Sequence, residues 1–141
     1  MVILRLTFKM SIQGENGKEG EYLAAKWLNR QGYEIFAINW KSSHQEIDII
    51  ASNCHFWVFV EVKTKTTSNI LQPENAVNSE KRKNMIKAAR RFVSKMNDNK
   101  KIRFDIVSVF FVSYGIQMLH FKDAFFPIIR NNVHRNSIGF L

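Results

Sequence analysis

The stretch EIDIIASNCHFWVFVEVKT, residues 46–64, decides the fold of this 141-residue chain. It reads as two strands, at about 46–52 and 56–64, joined by the short polar turn Asn53–His55. In the second strand Val58, Val60 and Val62 form one face, and the other carries Trp57, Phe59, Glu61 and Lys63, because successive side chains alternate. A strand this apolar is expected to be buried on both faces, where an unpaired charge is costly. Glu61 and Lys63, side by side, therefore need a reason. The first strand repeats the anomaly: Ile47, Ile49 and Ala51 share a face, while Glu46 and Asp48 share the other with Ile50. Asp is disfavoured in strands. A hairpin turning at 53–55 sets Asp48 and Glu61 about level, within reach of one shared cation. For each residue alone, a self-balancing Glu61–Lys63 pair and a backbone-bonded Asp48 suffice as an explanation. Their coincidence in register, beside a basic helix, favours a site.

Upstream, GKEGEYLAAKWLNRQ over 17–31 repeats apolar residues at helical spacing and Gly32 supplies the stop. A strand is expected over 33–40, linked to the next by Lys41–Gln45, so that three strands form an antiparallel meander. On the helix, Glu21 falls on the stripe of Ala24, Ala25 and Leu28, and Glu19 points to solvent; Gly17 and Gly20 near that stripe suggest close backbone approach. Glu21 is thus a third inward acid. Downstream, the polar stretch Lys65–Val77 reads as the longest loop, followed by a helix over about 79–96 and strands over 102–112 and 116–122. The second helix can return the chain as a right-handed crossover beside the third strand. The tail from Asp123 starts apolar and ends polar, and its last ten residues are expected to be disordered.

Three convergent carboxylates repel one another, and a hard divalent cation with oxygen ligands resolves the repulsion. Mg²⁺, with Mn²⁺ as an alternative, would accept one or two of them plus a phosphate oxygen. Such an ion polarises a phosphodiester and lowers the pKa of bound water. A neighbouring lysine orients that water or stabilises the developing negative charge. The pattern Asp48, twelve residues, Glu61-Val62-Lys63 fits D-x(n)-[DE]-x-K. The [DE]-x-K part recurs at Asp98-Asn99-Lys100, in a polar linker, so strand context and not spacing carries the signal.

The bulk composition agrees. Twenty-one Lys and Arg against twelve Asp and Glu give a net charge of +9 and favour polyanions, through counterion release. In the second helix Met85, Ile86, Ala89, Phe92, Val93 and Met96 form the expected buried stripe, with Lys83, Lys87, Arg90 and Arg91 opposite. Lys81, Arg82 and Lys83 crowd its N-terminus, where the macrodipole favours anions; a bound phosphate would relieve the mismatch. Lys81 lies nearest the buried stripe and is expected to face the site. Cys54 is the only cysteine, which excludes an intrachain disulfide and a Cys-rich zinc centre. No apolar run approaches the ~20 residues of a membrane span, and the opening residues do not read as a signal peptide, so a cytoplasmic location is expected. His44-Gln45-Glu46 lacks the P-C-x-x-C of a deaminase, and Gly14, Gly17 and Lys18 do not make a phosphate-binding loop. His120 and His134 have no metal spacing and read as structural or surface residues. Trp27, Trp40, Trp57 and the pairs Phe110-Phe111 and Phe125-Phe126 read as core.

The run Gly17, Gly20-Glu21, Ala25, Leu28, Gly32-Tyr33, Asn39, Glu46-Ile47-Asp48-Ile49-Ile50 and Phe59-Val60-Glu61-Val62-Lys63-Thr64 resembles the YraN-like family of small, endonuclease-like bacterial proteins. The resemblance continues through Ala76-Val77, Lys81 and Ala89 to Arg103-Phe104-Asp105 and fades after about Phe126. One departure is Gln45, where the family usually has Gly. The family is similar to the PD-(D/E)XK nucleases, including archaeal Holliday-junction resolvases. This implies an α/β, restriction-endonuclease-like core, a central mixed β-sheet flanked by helices in the order α-β-β-β-α-β-β. It also implies metal ligation by Asp48 and Glu61, a catalytic role for Lys63 and a supporting acid at Glu21.

A single domain over 1–126 is expected, with 1–16 as a flexible lead-in and 127–141 as a tail. The expected function is metal-dependent hydrolysis of DNA phosphodiester bonds, with branched or damaged structures as candidate substrates and with Lys81, Arg82, Lys83 and Lys87 contacting the nucleic acid. The rival is a non-catalytic nucleic-acid-binding module that keeps the nuclease fold. A homodimer would suit a two-stranded substrate.

Overall fold

A computed structural model describes residues 17–65 and 77–127. Its elements are α1 (Gly17–Arg30), β1 (Glu34–Ser42), β2 (Gln45–Ser52), β3 (Phe56–Lys65), α2 (Ser79–Val93), β4 (Lys101–Val112) and β5 (Gly115–Phe125). The strands form one mixed sheet in the order β1-β2-β3-β4-β5. Only the β3–β4 pair is parallel, since α2 carries the chain back across the sheet between them. This is the expected α/β architecture. The proposed lead-in, most of the 65–77 loop and all of the tail but Pro127 lie outside the described residues.

Local chemistry accounts for the connections. Gly32 takes φ 92° at the end of α1, which lets the Tyr33 N–H reach back to the Leu28 carbonyl at 3.1 Å. The β2–β3 turn is held by Asn53, whose Oδ1 accepts the N–H groups of His55 and Phe56 at 2.9 and 2.8 Å. β1 and β2 run further than the polar 41–45 link suggests: Lys41 pairs with Glu46 and Ser42 with Gln45. Only Ser43 and His44 turn the chain.

The sheet is packed on both faces. On one, Ala24, Ala25 and Leu28 of α1 meet Ile49, Ala51, Val58, Val60, Val107 and Val109. On the other, Met85, Ala88, Ala89 and Phe92 of α2 meet Ile50, Trp57, Phe59, Phe104 and Ile106. Phe92 is the hub there. The rings of Phe36, Trp40, Trp57 and Phe59 lie edge-on to it at 5.0–5.8 Å between centroids, the arrangement aromatic quadrupoles prefer.

Four sequence expectations need correction. α2 stops at Val93, short of 96, and Asn97-Asp98-Asn99 follow it. Asp98 there accepts the Trp57 indole N–H at 2.9 Å, so the second [DE]-x-K copy has a structural task. Phe126 is 70% exposed and is not core. A Cβ at Gly17 would meet nothing within 4 Å among the described residues, whereas Gly20 does mark a close approach. β5 reaches Phe125, past the expected 122, through an irregularity at which Asp123 adopts φ 51°.

Asp105 explains that last feature. It is fully buried, and its Oδ1 accepts the Asp123 N–H at 3.1 Å. Arg103 donates Nε at 2.9 Å to Oδ1 and Nη2 at 2.7 Å to Oδ2, and His120 Nε2 lies 2.7 Å from Oδ2. Burial alone would raise the Asp105 pKa, but hydrogen bonds from His120 and Arg103 bring it below the ordinary carboxylate value. Arg103 also donates to the Tyr33 hydroxyl at 2.8 Å. His120 is therefore structural, a bolt between β5 and β4.

Candidate active site

The site forms where β2 and β3 part. Their pairing runs from Ser52↔Trp57 to Ile49↔Val60, so the next facing positions are Asp48 and Glu61. There the ladder gives way to a side chain: Asp48 Oδ2 accepts the Val62 N–H at 2.7 Å. Both acids are buried, at 8% and 4% exposure. Lys63 follows on the same face of β3, and its Nζ stands 2.9 Å from Glu61 Oε1. Lys81 arrives from α2, with Nζ 3.1 Å from Glu61 Oε2. That second oxygen receives no well-directed hydrogen bond. Glu61 is thus clasped between a lysine of its own strand and one of a helix.

Glu21 enters from the opposite face. Gly20 lies against Thr64, so closely that a Cβ at position 20 would collide with the threonine side chain. Absence of that carbon brings the first turn of α1 onto the end of β3. Glu21 Oε2 is buried there and has no hydrogen-bond partner among the described residues.

The electrostatics are one-sided. Asp48 is pushed up from 3.8 to about 7, first by burial and next by the charge of Glu61, with Glu21 adding to the effect. The Val62 N–H and Lys81 oppose the rise without cancelling it. For Lys81, burial would depress the pKa, yet the Glu61 carboxylate raises it. The two lysines offset Glu61, which leaves Asp48, only partly offset by the Val62 N–H and Lys81, and a Glu21 oxygen with no hydrogen-bond partner among the described residues.

These donors suit a hard divalent cation: all are carboxylate oxygens, and one of them is orphaned. The three carboxylates are not gathered as tightly as the sequence suggests. Among the described residues no three His, Cys, Asp or Glu side chains are arranged to hold a metal ion. The reasons are visible: Asp48 is turned to the Val62 amide, Glu61 is shared by two lysines, and Glu21 reaches in from the other helix. A first shell drawn from Asp48 and Glu61 alone is what Mg²⁺ ordinarily takes from protein, with water completing it.

The basic residues of α2 divide into two groups. Lys83, Lys87, Arg90 and Arg91 are exposed and recur at spacings of four, three and one, which makes a single stripe. Arg82 is engaged by the fold instead, donating Nε to the Val77 carbonyl at 2.9 Å and lying over the Phe125 ring at 5.5 Å. Asn78 caps the helix, its Oδ1 accepting the Lys81 N–H at 2.8 Å, so the lysine nearest the site has a fixed backbone. No helix among the described residues is long and apolar enough to cross a membrane.

The Asp105 cluster went unread in the sequence. The signal was present, since Arg103 and Asp105 are charges on one face of a strand otherwise rich in Val, Ile and Phe. It is the anomaly that Glu61 and Lys63 show.

Comparison with known proteins places these residues in context. Residues 20–109, which include Glu21, Asp48, Glu61, Lys63, Lys81 and Asp105, match the model of the uncharacterised protein family UPF0102. A UPF0102 protein of Porphyromonas gingivalis is 35% identical over 129 residues, covering 91% of this chain and 96% of its own length. One from Parabacteroides distasonis is 37% identical, covering 86% of this chain and all of its own. One from Bacteroides thetaiotaomicron is 36% identical over 84% and 98% respectively. With near full-length matches of this kind and a family model that covers most of α1, all of α2 and β1–β3 and most of β4, the chain belongs to the UPF0102, or YraN-like, family.

Proposed function

We propose that this protein is a metal-dependent nuclease of the PD-(D/E)XK type that hydrolyses phosphodiester bonds in DNA. The observation that supports the reading is the buried, level pair Asp48–Glu61 at the point where two otherwise apolar strands separate, with Lys63 2.9 Å from Glu61. A structural role alone gives no reason to bury two facing acids, one of them moved to a pKa of about 7 first by burial and next by the charge of the other.

Asp48 and Glu61 would hold Mg²⁺ or Mn²⁺, with Glu21 supporting from α1. When bound, the ion supplies Lewis acidity toward the phosphodiester and a water of lowered pKa. Glu61 fixes the Lys63 ammonium, which orients the attacking water and stabilises the charge developing on the phosphoryl oxygens. The stripe Lys83, Lys87, Arg90 and Arg91 spans about two turns of α2. At 1.5 Å per residue, Lys83 to Arg91 covers about 12 Å, enough to follow a few phosphates of one strand toward Glu61.

The second reading, a nucleic-acid-binding module on the same fold, draws on the double neutralisation of Glu61 and the absence of a ready three-ligand set among the described residues. A cleavage panel decides between them: linear, single-stranded, flap and four-way-junction DNA with Mg²⁺ or Mn²⁺, comparing wild type with Glu61→Ala and Lys63→Ala. Metal-dependent cutting that both substitutions reduce by at least ~10²-fold supports the nuclease. Binding without cutting, unaffected by Glu61→Ala, supports the module.

A further inference from the structure

Glu61 is asked to do two incompatible things. As a cation ligand it must offer an oxygen, yet both its oxygens face ammonium groups, Lys63 on one and Lys81 on the other. A carboxylate has acceptor sites to spare, but a divalent ion added beside two ammonium groups is repelled by both, so its binding is favoured when one lysine leaves. We propose that Lys81 is the one that leaves: it is a latch that holds Glu61 in the metal-free protein and swings out to bind a substrate phosphate once a divalent cation takes its place. This rests on the metal-dependent reading of the site given above.

Several observations single out Lys81 over Lys63. Its contact with Glu61 Oε2 is the longer of the two, 3.1 against 2.9 Å. Lys63 shares a strand with Glu61 and sits two residues away, so β3 holds the pair together whatever else binds. Lys81 comes from a separate helix, and only its side chain need move. Its backbone is pinned by the Asn78 cap at 2.8 Å, and the side chain is one third exposed, as that of Lys63 also is. Outside, it would join the exposed stripe that begins at Lys83. Its stem is four carbons with free rotation, and its charge suits a carboxylate or a phosphate equally. The latch explains why the helix N-terminus carries a lysine where the macrodipole disfavours it. It also offsets the buried acids until the cation arrives.

Two measurements on the intact chain test this. Mn²⁺ binding is titrated calorimetrically without DNA for wild type, Lys81→Met and Lys83→Met, with circular dichroism confirming that the variants fold. Limited acetylation read by mass spectrometry then compares lysine reactivity with and without Mg²⁺. The expected result is saturable Mn²⁺ binding that tightens on the order of tenfold in Lys81→Met, because the competent state is no longer a minor one. Lys83→Met, whose ammonium is solvated, should stay within about twofold. Mg²⁺ should raise Lys81 acetylation several-fold and leave Lys83 and Lys87 unchanged. Saturable metal binding with unaltered Lys81 reactivity would overturn the latch and leave the metal site standing. No saturable binding by wild type or either variant would overturn the latch together with the reading beneath it.

Discussion

Asp48→Asn should stabilise the metal-free protein at alkaline pH, although it removes a proposed metal ligand. Asp48 is buried, and burial together with Glu61 moves its pKa from 3.8 to about 7. Between those values the native state holds a proton that the unfolded chain has lost, so wild-type stability falls as pH rises through this window. The protonated carboxyl contributes fully below 3.8, and the contribution is gone above about 7. At about 1.4 kcal/mol per pH unit the whole difference is about 4 kcal/mol. Glu61 shares part of that through mutual repulsion, so substituting Asp48 alone should recover about 2 kcal/mol at pH ~8.5. Asn keeps an acceptor for the Val62 N–H, now at 2.7 Å, so the hydrogen bond where the strands part is not lost. Urea unfolding in chelator across pH ~4 to ~8.5 measures this, with an unchanged denaturant slope showing that the unfolded state is the same. The gain should shrink toward zero at the acid end. A variant less stable than wild type at high pH, or a gain that ignores pH, would refute the electrostatic reasoning. Such a gain is the usual trade between stability and a functional site.

Three further outcomes follow from other parts of the fold. Asp105→Asn leaves Arg103 buried without its counter-charge and should cost about 3–5 kcal/mol in urea unfolding. Because the Asp105 pKa is depressed, the wild-type contribution is present above the unfolded value and is lost as pH falls through the lower folded one, so the variant should show a shallower acid limb. Gly20→Ala drives a methyl into Thr64 and should destabilise by about 1–3 kcal/mol, with partial recovery in a Thr64→Ala background; Gly17→Ala meets nothing and should be neutral or stabilising by up to ~1 kcal/mol. A measurable gain from Gly20→Ala would refute the close approach of α1 to β3. Lys87→Gln should weaken DNA binding evenly across sequences and reduce the slope of log affinity against log salt by about 1, as read by fluorescence anisotropy at several salt concentrations.

Much of the candidate site was legible because it breaks a rule. Alternation along 46–52 and 56–64 places Asp48, Glu61 and Lys63 on faces that apolar neighbours should own, and a three-residue turn sets their register. The same test applied to 101–112 would have found Arg103 and Asp105, but their partners His120 and Tyr33 lie far away in the chain. The end of α2 was harder. Helical periodicity continues through Met96, but the helix ends at Val93 with Ser94 as its cap, and the segment beyond it is tied by Asp98 to the Trp57 indole, a partner 41 residues away. Phe126 was misjudged for a related reason: aromatic composition does not say which member of a Phe-Phe pair faces the sheet.

The sequence by itself determined the element order, the two-sided burial of the central strands and the level placement of Asp48 with Glu61. All of these follow from side-chain periods of 2.0 and 3.6 and from short turns, which are local and additive. Tertiary structure alone decided how the charges are shared. Which lysine faces which oxygen of Glu61, why Asp48 holds its proton to about pH 7, and why one oxygen of Glu21 is buried with no hydrogen-bond partner among the described residues depend on three elements meeting from both faces of the sheet. Electrostatic energy varies with distance and burial through space, and neither quantity is written in the spacing of residues along the chain.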